Sequence, residues 1–551
     1  MRAIETLRTA LEEILAEEGF AWPAKTVIEP SKDARFGDLS VNAAMLLARE
    51  AKIPPRELAQ KFASGLLARC PEVEKAETAG PGFCNVSFSR KVWRSVVRDV
   101  ETAGQRYGAS DVGQGARILL EYVSANPTGP LHIGHGRGAA VGDSLARLLR
   151  RTGHEVHTEY YVNDAGRQMR LLGLSVWLAV QELAGRAVTR PEEYYRGAYI
   201  ADIARDMLAG IAGLADLPEN EGVDRCRARA GEEILNGIKA DLRQFRVEHE
   251  QWFSETSLLE CGAVERTFSA LAEAGHTFAR EGAFWFATER LGDDKDRVLK
   301  KSDGSLTYFA TDIAYHHDKY GRGYTRLIDV WGADHHGYMP RMRAAVAAMG
   351  KPAESLDVVL IQLVTLLRDG KPLGMSTRAG TFVTLAEVME EVGTDAARFM
   401  FLSRKSDSPL DFDLELVKKR SLENPVYYVQ YAHARVCAVL RRAAGQGFIL
   451  PETVEQAMLE CLDTPEDMDL LRKIAVFGDV LAQAARHLAP HYVSVYLMEL
   501  AGLLHSYYAR HQVVLVDDAP RALARLALMR ALGLVVRNGL DILGVSAPET
   551  M

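Results

Sequence analysis

The sequence predicts a multidomain chain centred on an α/β domain with a doubly wound parallel sheet, preceded by a small α+β domain and followed by an all-α domain. Three observations predict it. Ile118–Val123, Gly134–Arg151 and Val156–Val162 read in order as buried strand, helix and strand, and a parallel sheet needs such a crossover. Apolar strand-like runs return at Leu327–Trp331 and Val358–Leu363, as a second half of one sheet, with its ligand crevice at the carboxyl ends of the strands. From Asn424 onward Leu, Ala and Val recur at three-to-four spacing, the pattern of packed helices.

The elements follow in chain order. Residues 1–19 form an amphipathic helix, with Ile4, Leu7, Leu11, Ile14 and Leu15 at helical spacing. Phe36-Gly37-Asp38 is a turn, and the pattern from Leu39 to Leu47 predicts a second helix. Gly80-Pro81-Gly82 breaks the chain before the alternating strand Phe83–Phe88. The first domain therefore covers residues 1–110 and ends in the glycine-rich linker Gly108–Gly115. The Rossmann-type core spans 111–423 and is interrupted by a mostly helical, polar insertion at about 170–300. Residues 424–551 form the helical domain, and no internal repeat of fixed period is visible.

A chain of 551 residues far exceeds a domain of about 100–150 residues, so three domains are reasonable. Its 66 basic and 74 acidic side chains give a net charge of −8, which neither advertises nor forbids a nucleic-acid partner, because phosphate responds to local potential. The cysteines Cys70, Cys84, Cys226, Cys261, Cys437 and Cys461 include no Cys-x-x-Cys pair, which argues against structural zinc and fits reduced thiols. The amino terminus lacks the apolar core of a signal peptide, and no apolar run is long enough to span a bilayer. A cytoplasmic protein without a membrane partner is expected.

The chemistry concentrates after the first core strand, in Glu121-Tyr-Val-Ser-Ala-Asn-Pro-Thr-Gly-Pro-Leu-His-Ile-Gly-His135. His132 and His135 fall where strand gives way to helix, at the crevice of a parallel sheet. A helix amino terminus offers unpaired N–H groups and a favourable dipole for phosphate. Histidines there can stabilise charge on a reacting phosphate, and Gly134 lets an adenine approach the backbone. An isolated His-x-x-His is more often a pair of satisfied polar residues; its place inside a strand–helix–strand unit reverses that judgement.

Pro130-Leu-His-Ile-Gly-His135 matches the HIGH signature of class I aminoacyl-tRNA synthetases, and Ser124 through Arg137 is similar to the arginyl members. The resemblance implies adenylate formation from ATP with Mg²⁺, followed by transfer of L-arginine to tRNA(Arg). It places Pro130, His132, Gly134 and His135 around ATP. Lys371-Pro-Leu-Gly-Met375-Ser376-Thr-Arg378 resembles the KMSKS loop, with Gly374 and Thr377 where the family has its lysines. Met375 and Ser376 would then contact ATP. Arg378 and Lys371 are the nearest cations able to answer the charge of leaving pyrophosphate. Gly332, Asp334, His335 and His336, in the segment after the Leu327 strand, would lie beside the adenine or ribose. No clustered ligand supports a metal site there.

A guanidinium requires carboxylates. Asp312 and Tyr308 are four apart and share a face if helical; they resemble the family's arginine-binding pair, Glu255 its acidic partner, and Ser124 and Asn126 the residues holding the substrate's amino and carboxylate ends. Ordinary uses compete: a cap for Asp312, a turn for Asn126, a solvated face for Glu255. Asn424–Arg435 and Val536–Gly544 resemble the family's anticodon-binding domain, with Tyr427, Tyr428, Tyr431 and Arg435 as candidate tRNA contacts by stacking or simply as core. Phe36–Asn42 and Ala79–Phe83 resemble the extra amino-terminal domain that docks on the tRNA elbow. Monomer is the family default. A class I synthetase for another amino acid and a non-catalytic tRNA-binding paralogue remain open, the second favoured only by the missing loop lysines.

Overall fold

The computed structural model describes residues 2–31, 36–373 and 383–551. Its first unit is a four-stranded antiparallel sheet in the order β1-β2-β4-β3, formed by β1 (Ile28–Pro30), β2 (Leu39–Val41), β3 (Val73–Ala79) and β4 (Phe83–Phe88). Helix Arg2–Glu17 buries Leu7, Leu11 and Leu15 in the same core as Phe62 and Val86. The helix expected from Leu39 starts later, at Ala43. Leu39 and Val41 are instead buried on either side of half-buried Ser40 and pair with Val86 and Cys84 of β4, and Asn42 ends the strand by accepting from Val27 N (2.8 Å). Open ladder partners outweigh a weak helical pattern of three residues.

The central sheet has the order β12-β11-β5-β6-β7, all parallel. Its strands are β5 (Arg117–Glu121), β6 (Glu155–Val162), β7 (Gln251–Ser254), β11 (Arg326–Gly332) and β12 (Leu356–Ile361). The insertion is therefore not wholly helical. Helices Gly166–Leu183, Ala198–Gly210 and Glu219–Gln244 come first, but β7 returns to the central sheet. Residues β8 (Thr277–Arg280), β9 (Ala283–Phe286) and β10 (Arg297–Lys300) then make a separate antiparallel sheet. Each of these four strands has only 4 residues, too short for a periodicity to stand out against polar surroundings.

Period-2 alternation assigns the faces of the central sheet. Ile118 and Leu120 share a core with helix Ile133–Arg151, whereas Leu119 between them packs with Phe309 and Ile313 of helix Tyr308–Gly321. The two helices thus cover opposite faces, and both begin at the carboxyl edge of the strands.

After β12 come β13 (Val364–Arg368), β14 (Lys371–Pro372) and β15 (Leu410–Asp413) in a small sheet. Helices Pro425–Gly445, Pro465–Ala475, Phe477–Arg486, His491–Arg510 and Ala519–Ile542 build the carboxyl-terminal unit. The amino-terminal unit is fastened to it through helix Arg90–Ala103, where Arg94 Nε donates to Leu462 O (2.9 Å) and Arg530 Nε to Glu101 Oε1 (2.8 Å), and through Asp38 before β2, whose Oδ1 accepts from Arg472 Nε (2.7 Å). No described helix is long and apolar enough to cross a membrane.

Candidate active site

The loop leaving β5 is strained. Val123 and Ser124 have φ of 71° and 40°, left-handed backbone that a β-branched residue rarely adopts. The bend is fixed by the Ser124 hydroxyl, which donates to Glu121 Oε1 (2.8 Å) and accepts from Tyr161 N of β6 (3.1 Å).

Helix Ile133–Arg151 opens with a capping box made of two histidines. His132 Nδ1 accepts from Gly134 N (3.1 Å), and His135 Nδ1 accepts from His132 N (3.2 Å), with the rings stacked 3.6 Å apart. Burial lowers the pKa of both; His135, with His132 beside it, is pushed down to about 3. Both are neutral at physiological pH. Because each Nδ1 accepts a backbone N–H, the remaining ring proton sits on Nε2, and each imidazole presents a donor rather than a cation. A Cβ on Gly134 would meet His132 Cε1 at 3.0 Å, so the glycine's nearest neighbour is the capping ring itself, a reason for the residue that precedes any ligand.

These groups line a cavity of about 990 Å³ at the carboxyl ends of β5, β11 and β12. Ser124, Asn126, His132, Gly134, His135, Gly332, Asp334 and His335 all reach it; His336 is exposed and does not. A second cavity of about 890 Å³ adjoins it and shares Asn126, His132 and His135. Pro130 and Tyr308 line this second space, together with Tyr194, Tyr195, Tyr199 and Arg196 of the insertion. Asn126, on the shared wall, donates to Gln168 Oε1 (2.7 Å).

Tyr308 and Asp312 do lie on one helix, but they diverge: Tyr308 is 68% exposed at the second cavity, while Asp312 turns inward and accepts from the Tyr338 hydroxyl. Glu255 is buried at the first turn of helix Glu255–Glu260, where the Asn163 amide, turned nitrogen-first, donates to Oε2 (2.7 Å). Burial raises the pKa of both carboxyls, and for Glu255 the charge of Asp312 adds to it. Among the described residues neither has an ion-pair partner, and the buried Tyr161 hydroxyl beside them has no partner in good hydrogen-bond geometry. Two acids and a hydroxyl thus lie together, and none of the three lines either of the two cavities.

Lys371 is exposed on the β13–β14 hairpin and lines neither cavity. Met375, Ser376 and Arg378 lie outside the described residues. In the carboxyl-terminal unit Tyr427, Tyr428, Tyr431 and Arg435 are half-buried at the surface. Tyr427 and Tyr431 stack 6.0 Å apart, and the Arg435 guanidinium lies 4.7 Å from the Tyr431 ring centre, an arrangement that can extend to an unstacked base.

Sequence reasoning missed Tyr161, Asn163 and Tyr338 in the acidic pocket, and Arg137, which follows the second histidine. Arg137 is fully buried, and its Nη1 donates to Gln362 O (2.9 Å) and Ser408 O (2.8 Å). An arginine two residues after the motif was a visible signal, but its carbonyl partners were not.

Three family descriptions match in succession: "Arginyl tRNA synthetase N terminal domain" at residues 2–88, "tRNA synthetases class I (R), catalytic domain" at 97–408, and "DALR anticodon binding domain" at 429–551. The arginine–tRNA ligase of Desulfovibrio desulfuricans is 73% identical over 551 residues, covering 100% of both chains. That of Lawsonia intracellularis is 52% identical with the same coverage. Among solved structures, Thermus thermophilus arginyl-tRNA synthetase superposes with a TM-score of 0.77 at 24% identity, covering 100% of each chain, and shares the fold.

Proposed function

Because the chain belongs to the arginyl-tRNA synthetase family and is a class I arginine–tRNA ligase, we propose an assignment of its residues to that reaction. The carrying observation is a pair of neighbouring carboxylates, Glu255 buried and Asp312 half-buried, with no ion-pair partner among the described residues. The guanidinium of L-arginine lies against them and the Tyr161 hydroxyl, while Tyr308 faces the second cavity. Ser124 and Asn126 hold the α-amino and carboxylate ends beside the ATP cavity.

ATP occupies the larger cavity. Its triphosphate meets the amino terminus of helix Ile133–Arg151, where His132 and His135 donate from Nε2 to the phosphate oxygens. Gly332, Asp334 and His335 face the ribose and adenine. An arginine carboxylate oxygen attacks the α-phosphorus, the bond to the bridging oxygen breaks, and pyrophosphate leaves. Neutral donors strengthen as charge develops without adding a cation that must be desolvated. Magnesium carried by ATP would supply further charge compensation there; among the described residues no group of three or more His, Cys, Asp or Glu stands ready to hold it. Arg378 is the cation we assign to the departing pyrophosphate, because Lys371 lines neither cavity.

The 3′-terminal nucleoside of tRNA(Arg) then reaches the adenylate through the second cavity, past Pro130, Tyr308 and the insertion tyrosines. A ribose hydroxyl attacks the arginyl carbonyl and AMP leaves. Tyr427, Tyr428, Tyr431 and Arg435 contact unstacked anticodon bases, and residues 1–110 dock on the tRNA body, beside a core of 111–423 and an anticodon unit of 424–551. The enzyme works as a cytoplasmic monomer. The test is ATP–pyrophosphate exchange with tRNA present: arginine must support it. Exchange with lysine or glutamate but not arginine, or none with any amino acid, overturns this assignment.

A further inference from the structure

The three central strands carry a row of acids. Glu121 of β5 stands opposite Glu159 of β6 on one side and Asp329 of β11 on the other, at matching register. Helix Tyr308–Gly321 and its capping residue cover the row. Lys319 is fully buried, and its Nζ donates to Glu121 Oε2 (2.5 Å) and Asp329 Oδ1 (2.9 Å). His316 Nε2 meets Asp329 Oδ2 (2.8 Å), Arg322 holds Glu159 through Nη1 and Nη2 (2.6 and 2.9 Å), and the Tyr315 hydroxyl donates to Glu159. Burial opposes the charge on Lys319, but Asp329 and Glu121 outweigh it and raise its pKa.

Lys319 lines neither cavity, yet both ends of its contacts lead to the site. Glu121 spends its other oxygen on the Ser124 hydroxyl, which shapes the strained bend into the ATP cavity. Asp312 precedes Lys319 by seven residues (319 − 312), two turns along the same helix face. The bend reaches the first cavity through Ser124, and the helix reaches the second through Tyr308. Lys319 is the charged tie between them: among the described residues it alone bridges Glu121 to the helix that carries Asp312.

We propose that Lys319 is a positioning residue for the amino-acid site, setting the spacing between the Ser124 bend and the Asp312 carboxylate by clamping helix Tyr308–Gly321 to Glu121 and Asp329. This rests on Asp312 being the guanidinium acceptor. The test uses the full chain with tRNA and measures KM for arginine and ATP, kcat, and melting temperature for Lys319→Met and for Lys319→Met/Asp329→Asn. The single variant removes the cation between Glu121 and Asp329, leaving Asp329 with His316 alone; the double variant removes the Asp329 charge as well. Expected is an arginine KM raised at least tenfold in both, an ATP KM within twofold of wild type, and a melting temperature recovered in the double variant. Where the single variant does not fold, the double variant carries the test. A double variant with wild-type arginine KM, or arginine and ATP KM rising together, overturns the proposal. Asp312→Asn is run alongside: if it leaves arginine KM unchanged, the pocket assignment fails and this proposal falls with it, whereas a raised arginine KM in Asp312→Asn with wild-type KM in the Lys319 double variant overturns the positioning role alone.

Discussion

Asp312→Asn separates substrate recognition from folding, because it should move the two in opposite directions. Asparagine keeps the shape of the side chain and an acceptor for the Tyr338 hydroxyl, but it removes the negative charge. In the free protein that half-buried charge lies near Glu255 with no ion-pair partner among the described residues, so desolvation and repulsion both work against it. Removing it relieves the free protein, and the melting temperature should hold or rise. With arginine bound, a charge-assisted hydrogen bond becomes a neutral one, a loss of about 1.5–3 kcal/mol. At about 1.4 kcal/mol per factor of ten, arginine KM should rise roughly 10- to 150-fold. Steady-state exchange over a range of arginine concentrations reads this, and differential scanning fluorimetry without substrate reads the other arm. An unchanged arginine KM, or a lower melting temperature with KM intact, would show Asp312 to be a structural acid and refute the reasoning.

The histidine capping box makes stability pH-dependent. Burial lowers both folded pKa values, His135 to about 3, whereas an unfolded histidine titrates near about 6.5. Below about pH 6.5 the unfolded chain therefore binds more protons, and stability present at neutral pH is lost on acidification, at up to about 1.4 kcal/mol per pH unit for His135 before solvent screening. His135→Asn should flatten the fall in melting temperature between pH 7 and 5; an identical fall would remove His135 as its source. In Gly134→Ala the new Cβ meets the His132 ring at 3.0 Å. Displacing that donor should cut kcat about 10-fold or more while the melting temperature stays within a few degrees, and wild-type kcat would show that the ring position is unimportant.

The strands that could be read from sequence were those long enough to show a period. β5, β6, β11 and β12 have 5 to 8 residues, mostly apolar, and each appeared near its observed place. The four-residue strands β7 to β10 did not, because their pairing partners decide them. The same division runs through the site. His132, Gly134 and His135 are adjacent, so their motif could be read directly. Glu121 and Lys319 are 198 residues apart, and nothing local marks either as half of a buried pair. Asp312 was found through resemblance, but Tyr161, Asn163 and Tyr338 around it become neighbours only when β6 and β11 are laid into one sheet.

The fastening of helix Arg90–Ala103 to the last helices has a practical corollary. Trp93, Val96, Val97 and Val100 are buried and share a core with Leu462 and Ile474 across that seam. Cutting the chain near residue 110 would leave two sticky halves rather than two independent beads. A truncated fragment should self-associate or precipitate unless its missing counterpart is co-expressed, and the two ends of the polypeptide should travel together as one jaw whenever the molecule flexes.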